Sequence, residues 1–234
     1  MKQILCFGDS NTWGLIPKTD KRYDWGVRWT SLLNESLNNK SLNNKSLNNK
    51  SRDDKSLEDK SSDVYSEEYR VIEEGLCGRT TVFDDPLRDG RNGVKILPTI
   101  LETHNPVDIV IIMLGTNDCK TVYNASAEFI GQGVKRLIGQ VKHHIPDSRI
   151  LVISPIHLGD GVEQPDYDPE FSKESVALSK ELSAVYEKIA GQENVGFIAA
   201  SEVAYPSDTD REHMDADGHR RLAKKVEEWI RGAA

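Results

Sequence analysis

The sequence predicts an α/β fold: a three-layer α/β/α sandwich on a five-stranded parallel sheet in the flavodoxin-like order 2-1-3-4-5. Strand patterns alternate with helix patterns along the 234 residues, and no tight hairpin signal joins two strands. The nearly continuous apolar run over residues 107–114 is typical of a central parallel strand covered on both faces. Polar turn residues follow several strands directly, which places them at one edge of such a sheet.

The first strand leads to a serine. The run Ile4-Leu5-Cys6-Phe7 within residues 3–7 predicts a buried strand, and Gly8 ends it. Ser10 then lies in a turn at the carboxyl edge of the sheet, where α/β folds bind ligands, with its backbone N–H available to one. Serine is also a common helix cap at such a position, so Gly8-Asp9-Ser10 alone does not establish a chemical role.

A helix and a repeated segment come next. Asp24 can cap a helix whose apolar face has helical spacing: Trp25, Trp29, Leu32, Leu33 and Leu37. Residues 36–50 are three copies of Ser-Leu-Asn-Asn-Lys, and two decayed copies follow to residue 60. A five-residue period with one leucine per unit cannot build a core face. We predict one domain over residues 1–234 with a low-complexity insertion at about 38–64; a partner-binding arm is the functional alternative.

The rest of the chain alternates strands with helices. The predicted strands cover residues 69–75, 107–114, 149–154 and 195–199, and the predicted helices cover residues 93–104, 126–144, 171–190 and 217–231. Asn92 can cap the first of these helices, and Pro155 ends the third of these strands.

Composition excludes several classes of protein. Acidic residues outnumber basic ones by 38 to 30, and the formal net charge of -8 argues against a nucleic-acid surface or a basic membrane patch. No apolar run approaches the roughly 20 residues that span a bilayer, and no signal-peptide pattern precedes the first strand. Cys6, Cys77 and Cys119 have neither paired spacing nor an adjacent base in sequence, so we expect buried, reduced thiols, no structural zinc and a cytoplasmic location.

Four separate segments follow predicted strands: Gly8-Asp9-Ser10, Gly78, Gly115-Thr116-Asn117-Asp118 and Asp210-Arg211-Glu212-His213. In this order and at these positions they resemble the SGNH hydrolases, the GDSL family of esterases and lipases. The longer stretches at residues 4–14, 71–81 and 111–118 look like the bacterial arylesterase and acyltransferase branch. The resemblance covers nearly the whole chain except the insertion.

The resemblance implies a role for each matching residue. Ser10 would be the nucleophile, His213 its base, and Asp210 the group that orients the imidazole. The backbone N–H groups of Ser10 and Gly78 and the side-chain amide of Asn117 would bind the oxyanion. These residue types suit ester hydrolysis, which needs a nucleophile, a base, an orienting group and oxyanion donors. The resemblance implies no cofactor and no metal, and a histidine base predicts an acid limb at about pH 6–7.

Two histidines compete for the role of base. His213 has Asp210 three positions before it on a loop, which matches the Asp-x-x-His block of the family. His219 instead lies in the first turn of the predicted last helix, so we assign the base to His213. Arg211 and Glu212 depart from the small residues more usual between the pair, which leaves the shape of this loop open.

Three residues near the serine are candidates for the substrate pocket: Asp9, Asn11 and Trp13. Asp9, like Asp118, is better explained as a turn organiser that binds backbone amides, and Trp13 suits a pocket wall or the core equally. A metal site of Asp9, Asp118 and His213 is disfavoured, because hard-metal sites usually gather more carboxylates.

The main functional hypothesis is a serine esterase that hydrolyses short-chain acyl esters, with acyl transfer as an associated reaction. The alternatives are a carbohydrate O-acetyl deacetylase of the same family and a non-catalytic flavodoxin-like binding module. The last is disfavoured because residues 8–12 hold a single glycine and form no phosphate-cradling loop. We expect a small-molecule ester as partner and no nucleic acid or membrane, and relatives in this branch often assemble as homo-oligomers.

Overall fold

The computed structural model describes residues 1–38 and 68–232. Its core is a five-stranded parallel sheet in the order β2-β1-β3-β4-β5, as predicted. The strands are β1 Lys2–Gly8, β2 Tyr69–Gly75, β3 Ile109–Met113, β4 Arg149–Ser154 and β5 Gly196–Ala199. Nearly all of the predicted insertion lies outside the described residues, so the single-domain organisation with that insertion stays a prediction.

Six α-helices are present in the described ranges. They are α1 Ser10–Trp13, α2 over residues 29–38, α3 Gly93–His104, α4 Ala127–His144, α5 Lys173–Glu193 and α6 Ala216–Gly232. The predicted cap of α3 is confirmed, because the Asn92 side chain accepts a hydrogen bond from the Lys95 N–H. None of the helices in residues 1–38 and 68–232 combines the length and apolar character needed to cross a bilayer.

Helices cover the sheet on both faces. Along β1, Leu5 and Phe7 pack into the core formed with α3, α4 and α5, whereas Ile4 and Cys6 pack into the core formed with α2 and α6. All four side chains are fully buried. Burial on both faces explains the apolar runs in β1 and β3, which show no alternation with polar residues.

The register brings three strand ends to the same level. Gly8 at the end of β1 pairs with Gly75 of β2 on one side and with Met113 of β3 on the other. Neighbouring strands lie about 4.8 Å apart, so the turns that follow these residues emerge side by side. A Cβ atom on Gly75 would lie 2.2 Å from the backbone nitrogen of Trp13, so only glycine lets α1 pack against the end of β2.

The start of α2 differs from the prediction. The helix begins at residue 29, and Trp25 lies before it with 54% of its surface exposed, whereas Trp29 is fully buried. Asp24 does not cap this helix; its carbonyl accepts from the Val27 N–H in a turn instead. Gly26 adopts a left-handed conformation with φ of 85°, which interrupts any helix starting at Trp25. The four-residue spacing of the tryptophans does not reveal this turn.

Candidate active site

Ser10 occupies the first position of a tight turn between strand and helix. The Asp9 carboxylate caps α1 by accepting from the Asn11 N–H at 3.0 Å, so the organising contact predicted for Asp9 is present. Gly14, with φ of 87°, ends the helix after one turn. This short helix presents the Ser10 hydroxyl at the carboxyl edge of the sheet between β2 and β3.

Two hydrogen bonds connect Ser10 to the loop before α6. The Ser10 Oγ lies 2.9 Å from Nε2 of His213, and Nδ1 of the same ring lies 2.8 Å from Oδ2 of Asp210. All three residues are buried. The structure therefore joins the predicted nucleophile, base and orienting group in one chain of contacts, although 203 residues separate Ser10 from His213.

The Asp210 carboxylate is fixed by backbone donors. Its Oδ1 accepts from the N–H groups of Glu212 and His213, and its Oδ2 also accepts from the Lys18 N–H at 3.0 Å. Burial alone would raise the pKa of Asp210, but its hydrogen bonds with His213 and Glu212 and the charge of His213 bring the pKa below its ordinary value. The carboxylate is therefore kept ionised and aimed at Nδ1. Arg211, in the middle of this turn, adopts a left-handed φ of 63°.

The pKa of His213 lies well above that of an ordinary histidine. Burial lowers the pKa of the imidazole, but the carboxylates of Glu212, Asp210 and Asp9 raise it to about 9. Glu212 is the strongest of these, and its Oε1 lies 3.6 Å from Nε2. If His213 is the base, this pKa predicts an acid limb at higher pH than the pH 6–7 expected from the sequence. The sequence reasoning assumed one carboxylate at Nδ1 and took no account of a second at Nε2.

His219 occupies a different environment. It is fully buried in α6, its Nδ1 lies 3.3 Å from the Trp29 backbone N–H, and its ring packs edge-on against Tyr23. Burial lowers its pKa to about 4, so the ring is neutral at ordinary pH. Its contacts tie α6 to α2, and the structure places His213, not His219, beside Ser10.

Three hydrogen-bond donors are the groups expected from the sequence analysis to bind an oxyanion. Within the described residues, the backbone N–H groups of Ser10 and Gly78 have no protein acceptor. Gly78 is buried and adopts φ of 81°, a conformation that favours glycine. The Asn117 amide donates one N–H to the Arg79 carbonyl at 3.2 Å, which leaves its other N–H for a ligand.

Asp118 organises the loop that contains Gly78. Its carboxylate accepts from the Thr81 N–H at 2.9 Å and from the Thr81 hydroxyl. Burial raises the pKa of this carboxyl to about 7. In the sequence analysis, Asp118 is expected to organise its own turn. In the structure it also connects the turn after β3 to the loop after β2.

The candidate pocket residues have mainly structural contacts. Asp9 is 1% exposed and Asn11 is 3% exposed, and the Asn11 Oδ1 accepts from the Met214 N–H at 2.9 Å. Trp13 is half-buried with the Arg22 guanidinium over its ring at 5.5 Å. These contacts place Asp9 and Asn11 in the framework of the site rather than on an open pocket wall.

Sequence reasoning missed a buried cation behind the site. Arg79 donates to the Gly8 carbonyl of β1 at 2.9 Å and to the Glu74 carbonyl of β2, and it lies over the Phe7 ring at 4.2 Å, so it connects the ends of β1 and β2. Burial lowers its pKa to about 10, which still leaves it charged at neutral pH. Its position directly after Gly78 is the one signal in the sequence that could have identified it.

The cysteines are thiols without a pairing partner among the described residues. Cys6 and Cys119 are buried as expected, but Cys77 is only half-buried, which corrects the expectation for that residue. Burial still raises the pKa of Cys77 to about 11, so it is not a thiolate at neutral pH. In the described ranges no three His, Cys, Asp or Glu side chains are arranged to hold a metal ion.

Known structures resemble this one over its full length. An aryl esterase from M. smegmatis is 32% identical with a TM-score of 0.80, and the match covers 100% of both chains. Est24, a carbohydrate acetylesterase from Sinorhizobium meliloti, is 31% identical with a TM-score of 0.82 and the same coverage. A putative arylesterase from Agrobacterium tumefaciens is 30% identical with a TM-score of 0.77, again over 100% of both chains. No curated protein matches the chain.

A family model matches most of the sequence. Residues 48–221 fit the model of the GDSL-like Lipase/Acylhydrolase family. The matched span contains Gly78, Asn117, Asp210 and His213, and Ser10 lies before it. The chain belongs to the GDSL-like lipase/acylhydrolase family, the SGNH hydrolases, and is a carboxylic ester hydrolase.

Proposed function

We propose that this protein is a serine esterase that hydrolyses short-chain acyl esters through an acyl-enzyme on Ser10. One observation carries the proposal: the unbroken contact from Asp210 through His213 to the Ser10 hydroxyl, at 2.8 and 2.9 Å. A non-catalytic binding module has no need of this buried chain of a hydroxyl, an imidazole and a carboxylate. The arrangement suits nucleophilic attack by an activated serine.

Acylation begins with proton transfer. The Nε2 atom of His213 takes the hydroxyl proton of Ser10 as Oγ attacks the ester carbonyl carbon. The carbonyl oxygen becomes an oxyanion, which the N–H groups of Ser10, Gly78 and Asn117 stabilise. The tetrahedral intermediate then breaks its bond to the alcohol oxygen, and His213 gives its proton to that oxygen. The free alcohol leaves, and the acyl group stays on Ser10.

Deacylation repeats the sequence with water. His213 removes a proton from water as the water oxygen attacks the acyl carbonyl carbon, and the same three donors hold the second oxyanion. The bond to Ser10 Oγ then breaks and the imidazolium returns the proton to Oγ. A carboxylic acid is released. An alcohol in place of water would give acyl transfer by the same steps.

The likeness to Est24 supports a second candidate substrate class, O-acetylated carbohydrates. Aryl and carbohydrate acetates share a short acyl group and differ in the alcohol. A panel of p-nitrophenyl esters with acyl chains of two to twelve carbons, run beside sugar acetates, separates the two. We expect the two-carbon to four-carbon esters to give the highest kcat/KM, and a preference for long chains would contradict the proposal.

The nucleophile is tested by replacement and by labelling. Ser10→Ala is expected to lower kcat by about four to six decades, the scale observed when the nucleophile of a triad is removed. A fluorophosphonate should add once to the wild-type protein, and peptide mapping should locate the adduct on Ser10. An adduct on Cys77 would refute the assignment.

A histidine pair provides the matched control. His213→Ala is expected to lose most activity, whereas His219→Ala should keep at least about a tenth of it, because His219 has a packing role. Circular dichroism verifies that each variant is folded. If His219→Ala is inactive while folded and His213→Ala is active, the proposed base is wrong.

A further inference from the structure

Glu212 is a buried carboxylate outside the three-residue arrangement described above. It is 8% exposed, and its Oε1 lies 3.6 Å from Nε2 of His213, the nitrogen that faces Ser10. This distance is too long for a hydrogen bond but is typical of an ion pair. Asp210 binds the opposite nitrogen, so the imidazole lies between two carboxylates.

The backbone of Glu212 is held on both sides. Its N–H donates to Asp210 Oδ1 at 3.1 Å, and its carbonyl accepts from the Asn11 amide at 3.5 Å. The turn therefore fixes where the side chain starts, and the position of the carboxylate near Nε2 follows from the fold of the loop.

Other charged groups face this pair from several elements. Asp210 lies on the same loop as Glu212 and His213. Lys120, which follows β3, and Asp168, on the loop after β4, face Glu212. Asp9, at the start of α1, and His219, in α6, face His213. Lys120 is already in an ion pair with Glu170. The imidazolium of His213 is thus the nearest cation to the Glu212 carboxylate in the described part of the chain.

We propose that Glu212 is a positioning residue that holds a proton on Nε2 of His213, so that the enzyme needs a more alkaline medium than Ser10, His213 and Asp210 alone would require. The inference rests on the proposed function, because it assumes that His213 is the base for Ser10. Glu212 acts through the imidazole and has no bond to make or break in the reaction.

The direction of the effect follows from charge. A carboxylate at 3.6 Å stabilises the imidazolium, and an imidazolium cannot accept the Ser10 proton. The pKa of His213 at about 9 means that most of the free enzyme is protonated at neutral pH. The same carboxylate also stabilises the imidazolium that forms in the transition state. Removing the carboxylate should therefore raise kcat/KM of the variant above that of the wild type at low pH, and lower it at high pH.

The pH dependence of kcat/KM in Glu212→Gln tests this expected reversal between low and high pH. We measure kcat/KM on p-nitrophenyl acetate from pH 5 to 10, with correction for spontaneous hydrolysis. The midpoint of the acid limb should fall by at least about one pH unit, and kcat/KM at pH 6.5 should rise over wild type, by up to about tenfold for each unit of that fall. Above the wild-type midpoint the variant should be no faster than wild type. Glu212→Asp keeps the charge and should show a smaller shift.

Two controls separate this effect from damage to the fold and from a general change of charge. Glu202→Gln removes one negative charge at an exposed position and should leave the profile unchanged. A structural defect would lower kcat/KM by one factor at every pH. That pattern, or an acid limb within about 0.3 unit of wild type, would overturn the proposal.

A direct titration distinguishes the failure of this inference from the failure of the proposed function. The ring nitrogens of the six histidines are followed by NMR in histidine-labelled protein, with His213 identified by its loss in His213→Gln. The ring of His213 should titrate at least one unit lower in Glu212→Gln. If no ester is hydrolysed and Ser10 is not labelled, the proposed function fails, while an unchanged ring titration refutes the role of Glu212 whatever the activity.

Discussion

Asn117 uses its amide in two directions. One N–H is bound to the Arg79 carbonyl, which fixes the orientation of the amide, and the other is available at the carboxyl edge of the sheet. A donor fixed in advance needs no rearrangement when negative charge develops, and for this reason oxyanion donors affect the transition state more than the bound substrate.

Asn117→Ala is therefore expected to lower kcat by about 10²–10³ with little change in KM. Steady-state kinetics on a short-chain ester measure both constants. Asn117→Asp, which places an acceptor and a negative charge where a donor is needed, should be at least as impaired. A change confined to KM would mean that Asn117 only holds the substrate.

At the residue scale, the sequence predicted which side chains come together better than it predicted the charged groups around them. The contact of Ser10, His213 and Asp210 could be predicted because their motifs follow strands and match a known family. The contact of Glu212 with Nε2 could not be predicted, because it depends on a turn in which Arg211 takes a left-handed conformation. Such a conformation is unusual for a residue other than glycine, and no spacing rule indicates it.

Between elements, the loop after β2 depends on the turn after β3. Asp118 is fully buried and binds both the N–H and the hydroxyl of Thr81, three residues after Gly78. The backbone donor of Gly78 is therefore supported by a carboxylate from the neighbouring strand end.

Asp118→Ala should lower the free energy of unfolding by about 2–4 kcal/mol, because it leaves two buried donors of Thr81 without an acceptor. It should also lower kcat through displacement of Gly78. Thr81→Val is the matched control, since it removes the hydroxyl and keeps the backbone contact; about 1 kcal/mol is expected. Urea titrations measure both, and equal stability of Asp118→Ala and wild type would contradict this account.

Element boundaries could be predicted where capping and burial agree. β2 and β4 match the predicted ranges, and α3 begins after Asn92 as expected. β3 is shorter than the apolar run that identified it, because burial continues beyond the residues that pair. The predicted start of α2 was wrong, because Trp25 has helical spacing but is separated from the helix by the turn at Gly26.

At the scale of the molecule, Asn38 and Glu68, the last and first described residues on either side of residues 39–67, lie close together. The Asn38 side chain accepts from the N–H groups of Glu68 and Tyr69 at 3.0 and 3.1 Å and donates to the Tyr69 carbonyl. The end of α2 and the start of β2 are thus joined by direct hydrogen bonds. Asn38 belongs to this junction, although the predicted insertion began at about this residue.

Replacement of residues 40–66 by a short Gly-Ser linker is expected to keep kcat/KM within about threefold of wild type, because closing a shorter loop costs little entropy. The comparison uses the same ester and checks folding by circular dichroism. The same replacement combined with Asn38→Ala should be less stable, since it breaks the junction. A large loss of activity in a folded deletion variant would implicate the segment in the site or in assembly.

The order of strands has a consequence for synthesis. β1 is made first but lies between β2 and β3, and Met113 follows Gly8 by 105 residues. At about 5–20 residues per second, a ribosome needs on the order of 5–20 s to add them. Until β3 is made, the edge of β1 that pairs with it is open, and an open strand edge can pair with another chain. Ser10, among the first residues translated, can contact His213 only when residue 213 has emerged, so under the proposed mechanism the site is completed only near the end of synthesis.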